Sequence, residues 1–242
     1  PAVAADAEEA QFNVVVSLYN AGQWEAALKK IGEREATDLS DAMRARYLYV
    51  KGLSHEKGSQ LDQAAAAWGQ LIAKYPAADD AAKARVAVIY LEYGRGKSAA
   101  VVAQCKDLNI DTLPKGERSN VALMYAEALL ATNADVAATI AAYEKAKAYG
   151  ADGNVVAQRL FILYMKQGAR DKLLAVSANG VPGLDAAVVA LARAEALLAT
   201  GKPAEVLAET KKVADSHALY PRANYAAAQA LIAAPGARAD AA

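Results

Sequence analysis

Apolar positions along the chain recur at steps of three and four rather than two, in runs of about 14 residues with slightly shorter runs between them. That period places one apolar stripe on each of a long succession of helices. Strand signals are scarce: no apolar/polar alternation is bounded by turn residues, and no Asn-Gly or Asp-Gly pair stands between β-branched runs. The breaks carry Gly22, Gly58, Gly94, Gly168 and Gly201. Pro76, Pro114, Pro182 and Pro221 fall where a helix pair should stop or restart, and Pro203 suits a first helical turn. Asp38-Leu-Ser40-Asp41 and Asp79-Asp80 supply helix-start signals.

Most of the glycine spacings lie in the mid-thirties or at twice that, the mark of a repeat with two helices per unit. Six hairpins fit, at about 6–36, 41–76, 78–108, 115–150, 153–178 and 184–217, with a last helix near 220–233. Each hairpin alone leaves an apolar face bare, and stacking the next one on it supplies the core. An irregular all-α bundle is the alternative.

The first two hairpins resemble the tetratricopeptide repeat. Hairpin one reads Leu18, Gly22, Trp24, Ala27, Leu28, Ile31, and hairpin two Gly52, Leu61, Ala64, Trp68, Leu71, Ile72, Pro76. The run Trp68-x-x-Leu71-Ile72-x-x-Tyr75-Pro76 resembles bacterial cell-envelope members of that family. Tyr90, Gly94 and Ala99, then Tyr164, Gly168 and Leu173, then Leu197, Gly201, Val206 and Leu207 continue the pattern, while hairpin four has Asn133-Ala134 where the turn glycine belongs. The resemblance implies an all-α, right-handed superhelical α-solenoid of about six hairpins plus a C-terminal capping helix. It makes 6–234 a single domain between disordered tails at 1–5 and 235–242. Ala27 and Ala64 then mark close helix approaches, and Trp24, Trp68 and Tyr143 fill the space between hairpins.

Composition narrows the function. About a quarter of the residues are alanine, the best helix former. Lys+Arg 27 against Asp+Glu 27 gives zero formal charge, which argues against a nucleic-acid coat. No uncharged apolar stretch is long enough to span a membrane. His55 beside Glu56 and His217 near Asp215 lack a second His or Cys at ligand spacing, and adjacent helix positions do not face each other. Cys105 reads as a packing residue, and Gly94-Arg-Gly96-Lys-Ser98 lacks the strand that precedes a phosphate loop. No enzyme, metal or cofactor is expected.

In tetratricopeptide arrays the first helix of each hairpin lines a concave groove. The resemblance places Phe12, Val16, Tyr19, Arg46, Tyr49, Leu53, Glu56, Val88, Leu91, Met124, Ala128, Gln158, Ile162, Met165, Val188, Leu191, Glu195 and Leu198 there. The family's Lys/Arg/Asn peptide clamp is absent. A mostly apolar groove suits a helical or extended apolar segment of a protein or peptide partner, with Tyr49, Leu53, Leu91 and Met165 as hot spots. Burial of these residues within the array is the competing reading. The expected function is a protein-binding scaffold in a bacterial envelope assembly. The alternatives are a subunit that self-associates through its end repeats, giving a homo-oligomer, or an accessory domain of a larger protein. Pro-Ala-Val-Ala-Ala-Asp reads like a processed N-terminus, pointing to the periplasm, with the cytoplasm as alternative.

Overall fold

The computed structural model describes residues 2–35 and 37–234, with the backbone alone at 2–5. Its α-helices are α1 (Ala2–Asn20), α2 (Trp24–Glu35), α3 (Asp41–Lys57), α4 (Leu61–Lys74), α5 (Asp79–Gly94), α6 (Ser98–Lys106), α7 (Lys115–Ala131), α8 (Val136–Ala148), α9 (Gly153–Gln167), α10 (Arg170–Val176), α11 (Ala186–Ala199), α12 (Pro203–Thr210) and α13 (Tyr220–Ala233). Among the described residues there is no strand beyond one isolated bridge between Ala178 and Gly180. The chain groups into two compact units, 1–113 and 114–242. The first holds the hairpins α1–α2, α3–α4 and α5–α6; the second holds α7–α8, α9–α10, α11–α12 and the closing α13. Helix α1 starts at Ala2, ahead of the expected position, and α12 ends at Thr210, short of it. The expected tail at 235–242 lies outside the described residues.

Within each unit the second helix of one hairpin packs on the first helix of the next: α2 on α3, α4 on α5, α8 on α9, α10 on α11, α12 on α13. First helices also meet directly, α1 with α3, α3 with α5 and α11 with α13. This is the nearest-neighbour stacking of an α-solenoid.

One turn geometry recurs in all six hairpins. A residue with positive φ closes the first helix at Gly22, Ser59, Gly96, Asn133, Gly168 and Gly201. The residue after it donates its N–H to the carbonyl five positions back: Gln23 to Leu18, Gln60 to His55, Lys97 to Glu92, Ala134 to Leu129, Ala169 to Tyr164 and Lys202 to Leu197. These paired bonds are Schellman caps, which satisfy the orphan carbonyls of the helix end. The register therefore runs through Ser59 and Gly96, not through Gly58 and Gly94. Asn133 takes glycine's role in hairpin four, as a short polar side chain can.

The core follows from close helix approach. Ala27, Ala64 and Trp68 are fully buried, as is Tyr143, whereas Trp24 is half-buried at the start of α2. Trp68 packs among Ala45, Leu48, Ala64, Leu71, Ala84, Val88 and Leu91. Its Nε1 donates to the Tyr49 carbonyl at 3.2 Å. Burying an indole removes roughly 200 Å2 from water, on the order of 5 kcal/mol. Gly52 makes room for it: a Cβ at that position would stand 2.5 Å from the indole Cδ1 and Cε2.

Candidate functional site

The first helices of the hairpins carry the expected groove residues, and each unit is taken separately. In the N-terminal unit Phe12 is buried, with its ring edge-on to Tyr47, and Val16 and Tyr19 are half-buried against the same cluster. Arg46 forks onto Glu9, with Nη2 donating to Oε1 at 2.9 Å, and its guanidinium lies 4.1 Å over the Phe12 ring. The hydrogen bond from Arg46 holds the Glu9 carboxyl below its usual range, and the same contact raises Arg46. Arg46 is thus occupied within the fold rather than waiting for a ligand. Tyr49, Leu53 and Glu56 are half-buried, and Lys83 Nζ sits 5.8 Å over the Tyr49 ring.

Three expected groove residues in this unit, Phe12, Val88 and Leu91, are buried. Val88 and Leu91 are 6% and 8% exposed and belong to the Trp68 cluster. Helix α5 packs on α3, α4 and α6 at once and carries apolar residues at almost every angle with charged ones scattered among them, so its pattern does not single out an open face. The open face carries Tyr90 and Tyr93, 37% and 41% exposed, which the groove reading missed.

In the C-terminal unit, Met124 is half-buried and Ala128 buried on α7. Glu127, one turn from Met124, accepts from Arg159 Nε at 3.0 Å and so ties α7 to α9. Gln158 donates through Nε2 to the Pro182 carbonyl, pinning the loop 177–185 that stands where α10 would otherwise continue. The partner stretch has no room to spare, since a Cβ on Gly183 (φ +78°) would strike the Gln158 amide. Ile162 and Met165, one and two turns further along the same stripe of α9, are 48% and 46% exposed. On α11, Val188 is 38% exposed, whereas Leu191 is 3% exposed and packs against Val213 and Ala223, so it is buried like Ala128 rather than open to a groove. Leu198 is half-buried, and Glu195 is forked by Arg222 of α13 at 2.6 and 3.0 Å.

Met165 borders a cleft of about 220 Å3 between α9, α10 and α11. Its walls include Tyr164 and Leu173, its α11 side is Ala192, Ala196 and Ala199, and Arg170 and Glu195 add one charge of each sign. The volume lies below the roughly 300 Å3 at which small-molecule sites begin, and suits a side chain or two of a partner.

Other polar groups are engaged in holding the fold. His217 Nε2 lies 3.2 Å from Asp185 Oδ2 and its Nδ1 accepts from the Leu219 amide; His55 Nδ1 lies 2.6 Å from Gln60 Oε1. Around the Gly94–Ser98 turn, Arg95 pairs with Asp62 and Glu92, and Lys97 with Glu92. Buried Cys105 has its thiol pushed up to about 12 by desolvation. Among the described residues no group of three or more His, Cys, Asp or Glu could hold a metal ion, and no helix is long and apolar enough to cross a membrane.

No family model and no curated protein matches the chain. Three solved structures are similar at low identity. PilF of Pseudomonas aeruginosa is 15% identical, with 91% of this chain and 97% of that one covered and a TM-score of 0.46. The TPR2AB domain of yeast Sti1, in complex with an HSP90 peptide, is 12% identical over 95% and 99%, with a TM-score of 0.35. The Thermus thermophilus protein TTC0263, described as a thermophilic TPR protein, is 16% identical over 93% and 99%, with a TM-score of 0.31. The pairing of its own helices and the six repeated caps define this chain as an all-α protein built of stacked helical hairpins.

Proposed function

We propose that the protein is a non-enzymatic scaffold that captures an apolar helical or extended segment of a protein partner on the first helices of its hairpins. The observation that carries this is the stripe Gln158–Ile162–Met165 on α9: two large apolar side chains, each nearly half exposed, on a face where Arg159 and Glu195 are already paired within the fold. Solvent-facing apolar groups next to an alanine-walled cleft gain by burial against a partner. Tyr49, Leu53, Tyr90 and Tyr93 give the N-terminal unit a comparable aromatic face.

The setting that fits is a bacterial envelope assembly, in the periplasm rather than the cytoplasm. Its support is the envelope-type end of hairpin two.

The test is a photo-crosslinker at Met165 in cells expressing the full gene product, with Ile162→Glu as the blocking change. A discrete adduct that disappears in the Ile162→Glu protein, with helicity and melting unchanged, supports capture on α9. Adducts indifferent to that substitution would refute it. Fractionation of the same cells decides the compartment.

A further inference from the structure

Helix α10 stops at Val176, and residues 177–185 leave the helical pattern before α11 begins. This loop holds Asn179-Gly180, and Asn179 is the only one of the chain's eight asparagines that glycine follows. The others precede Val, Ala, Ile or Tyr. Asn13, Asn20, Asn120, Asn154 and Asn224 lie in helices, whose fixed dihedrals keep the next nitrogen away from the side-chain amide. Asn109 has its side-chain oxygen engaged by the Asp111 amide, and Asn133 is followed by alanine. Asp152-Gly153, the chain's only Asp-Gly pair, starts α9 with its carboxylate engaged by the Asn154 and Val155 amides.

An Asn-Gly pair carries its own reaction, because the glycine nitrogen is tethered beside the side-chain carbonyl it can attack. A side chain on the second residue crowds that approach, and glycine has none. At Gly180 (φ +82°) even an added Cβ would meet nothing within 4 Å. Both residues are exposed, so water reaches the product. One contact opposes the attack. The Gly180 N–H donates to the Ser177 carbonyl at 3.0 Å, and Ser177, 1% exposed, is itself tied to Leu173 and Arg193. The nitrogen must leave that bond first. Two further ties hold the loop down: buried Val181, and the grip of Gln158 on the Pro182 carbonyl.

We propose that Asn179 is a self-modification site, converting without an enzyme to aspartate and isoaspartate at a rate set by how often the loop lifts. The Gly180 nitrogen bonds to Cγ of Asn179, the Cγ–Nδ2 bond breaks, and the Gly180 amide proton departs with the leaving ammonia. Water then opens the cyclic imide. Addition at Cγ gives aspartate; addition at the main-chain carbonyl of residue 179 gives isoaspartate, with the chain running on through the side chain. One water is consumed and one ammonia released, with no other reactant. The new carboxylate lies on the wall of a recess of about 390 Å3 that also holds Arg193, Lys212 and Glu209. Two cations outnumber one acid there, so the added charge is accommodated. The reaction needs no partner and stands apart from capture on α9.

The full chain is aged at pH 8 and mapped by peptide mass spectrometry, with isoaspartate read by methyltransferase labelling. The peptide containing Asn179 should exchange the mass of NH2 for that of OH, while the other seven asparagines stay intact. Gln158→Met keeps the bulk of the side chain but loses the grip. It should speed conversion about fivefold, the weight of one hydrogen bond. Val181→Ala, which thins the buried anchor, should speed it as well, and in urea all three chains should react at one rate. Melting curves confirm that each variant is folded. Asn179 intact in the folded chain while the denatured chain converts would overturn the proposal, as would folded rates indifferent to both substitutions.

Discussion

Replacing Gly52 with alanine pits two effects of opposite sign against each other. In an exposed helix the change is favourable, by up to about 1 kcal/mol. Here the new methyl would lie 2.5 Å from the indole Cδ1 and Cε2, about 1 Å inside ordinary contact. Trp68 is 0% exposed and surrounded by Leu48, Leu71, Val88 and Leu91, so the ring has no space to retreat into. Overpacking of that kind costs about 1–3 kcal/mol, and displacing the indole also weakens its hydrogen bond to the Tyr49 carbonyl, worth about 1 kcal/mol. The net expectation is destabilisation by about 1–3 kcal/mol. Gly69 on α4 is the matched control: it is exposed, and nothing lies within 4 Å of its would-be Cβ. Gly69→Ala should stabilise by about 0.5–1 kcal/mol. The assay is urea unfolding followed by tryptophan emission. The chain's 2 tryptophans, Trp24 and Trp68, both lie in the N-terminal unit, so emission isolates it from the far-ultraviolet signal of the whole. If both alanine variants shift the midpoint in the same direction, the close-approach argument fails.

Cys105 should resist alkylation in the folded protein at pH 8, since burial pushes its thiol up to about 12, and react fully once denatured; modification at the rate of a free thiol would contradict its placement in the core. Glu209 is 7% exposed; burial by itself would raise its pKa, but hydrogen bonds from Lys212 and Arg193 prevail and lower it. A lowered folded value means the stabilisation is present above the unfolded value of about 4.3 and lost as pH falls through the folded one. Glu209→Gln should cost about 2–3 kcal/mol at neutral pH and flatten the acid limb of the stability curve, read by thermal melts between pH 3 and 7. Ser40 caps α3 by accepting from the Met43 amide at 3.3 Å, so Ser40→Ala should lower the tryptophan-detected stability by about 1 kcal/mol; no change would show that cap to be idle.

Hairpin boundaries were legible because glycine, proline and acidic caps mark them, and because the alternation of helix and break survives even where hairpin four has no turn glycine. The placement of Ala64 and Trp68 was legible too, since only small residues fit where two helices nearly touch. The open faces were not. Helix α5 offers Ala, Val, Ile, Leu and Tyr at almost every angle, so which stripe faces water depends on the neighbours that flank it, and Val88 and Leu91 landed in the core. The forks Arg46–Glu9, Arg159–Glu127 and Arg222–Glu195 join residues far apart in the chain and are invisible until successive first helices are set side by side. The division at residue 113 left no mark beyond a single proline, Pro114.

Gln158 belongs at once to the stripe of α9 and to the loop whose Pro182 carbonyl it grips. A molecule that settles over Ile162 must either leave that grip alone or break it. Breaking it removes one tie on a stretch held also by the buried Val181 and, at its base, by Arg193, which reaches Ser177 and the Leu174 carbonyl. Occupancy that displaces the Gln158 amide is mechanically coupled to slack in that stretch, and amide exchange in residues 178–184 is where the coupling would be read.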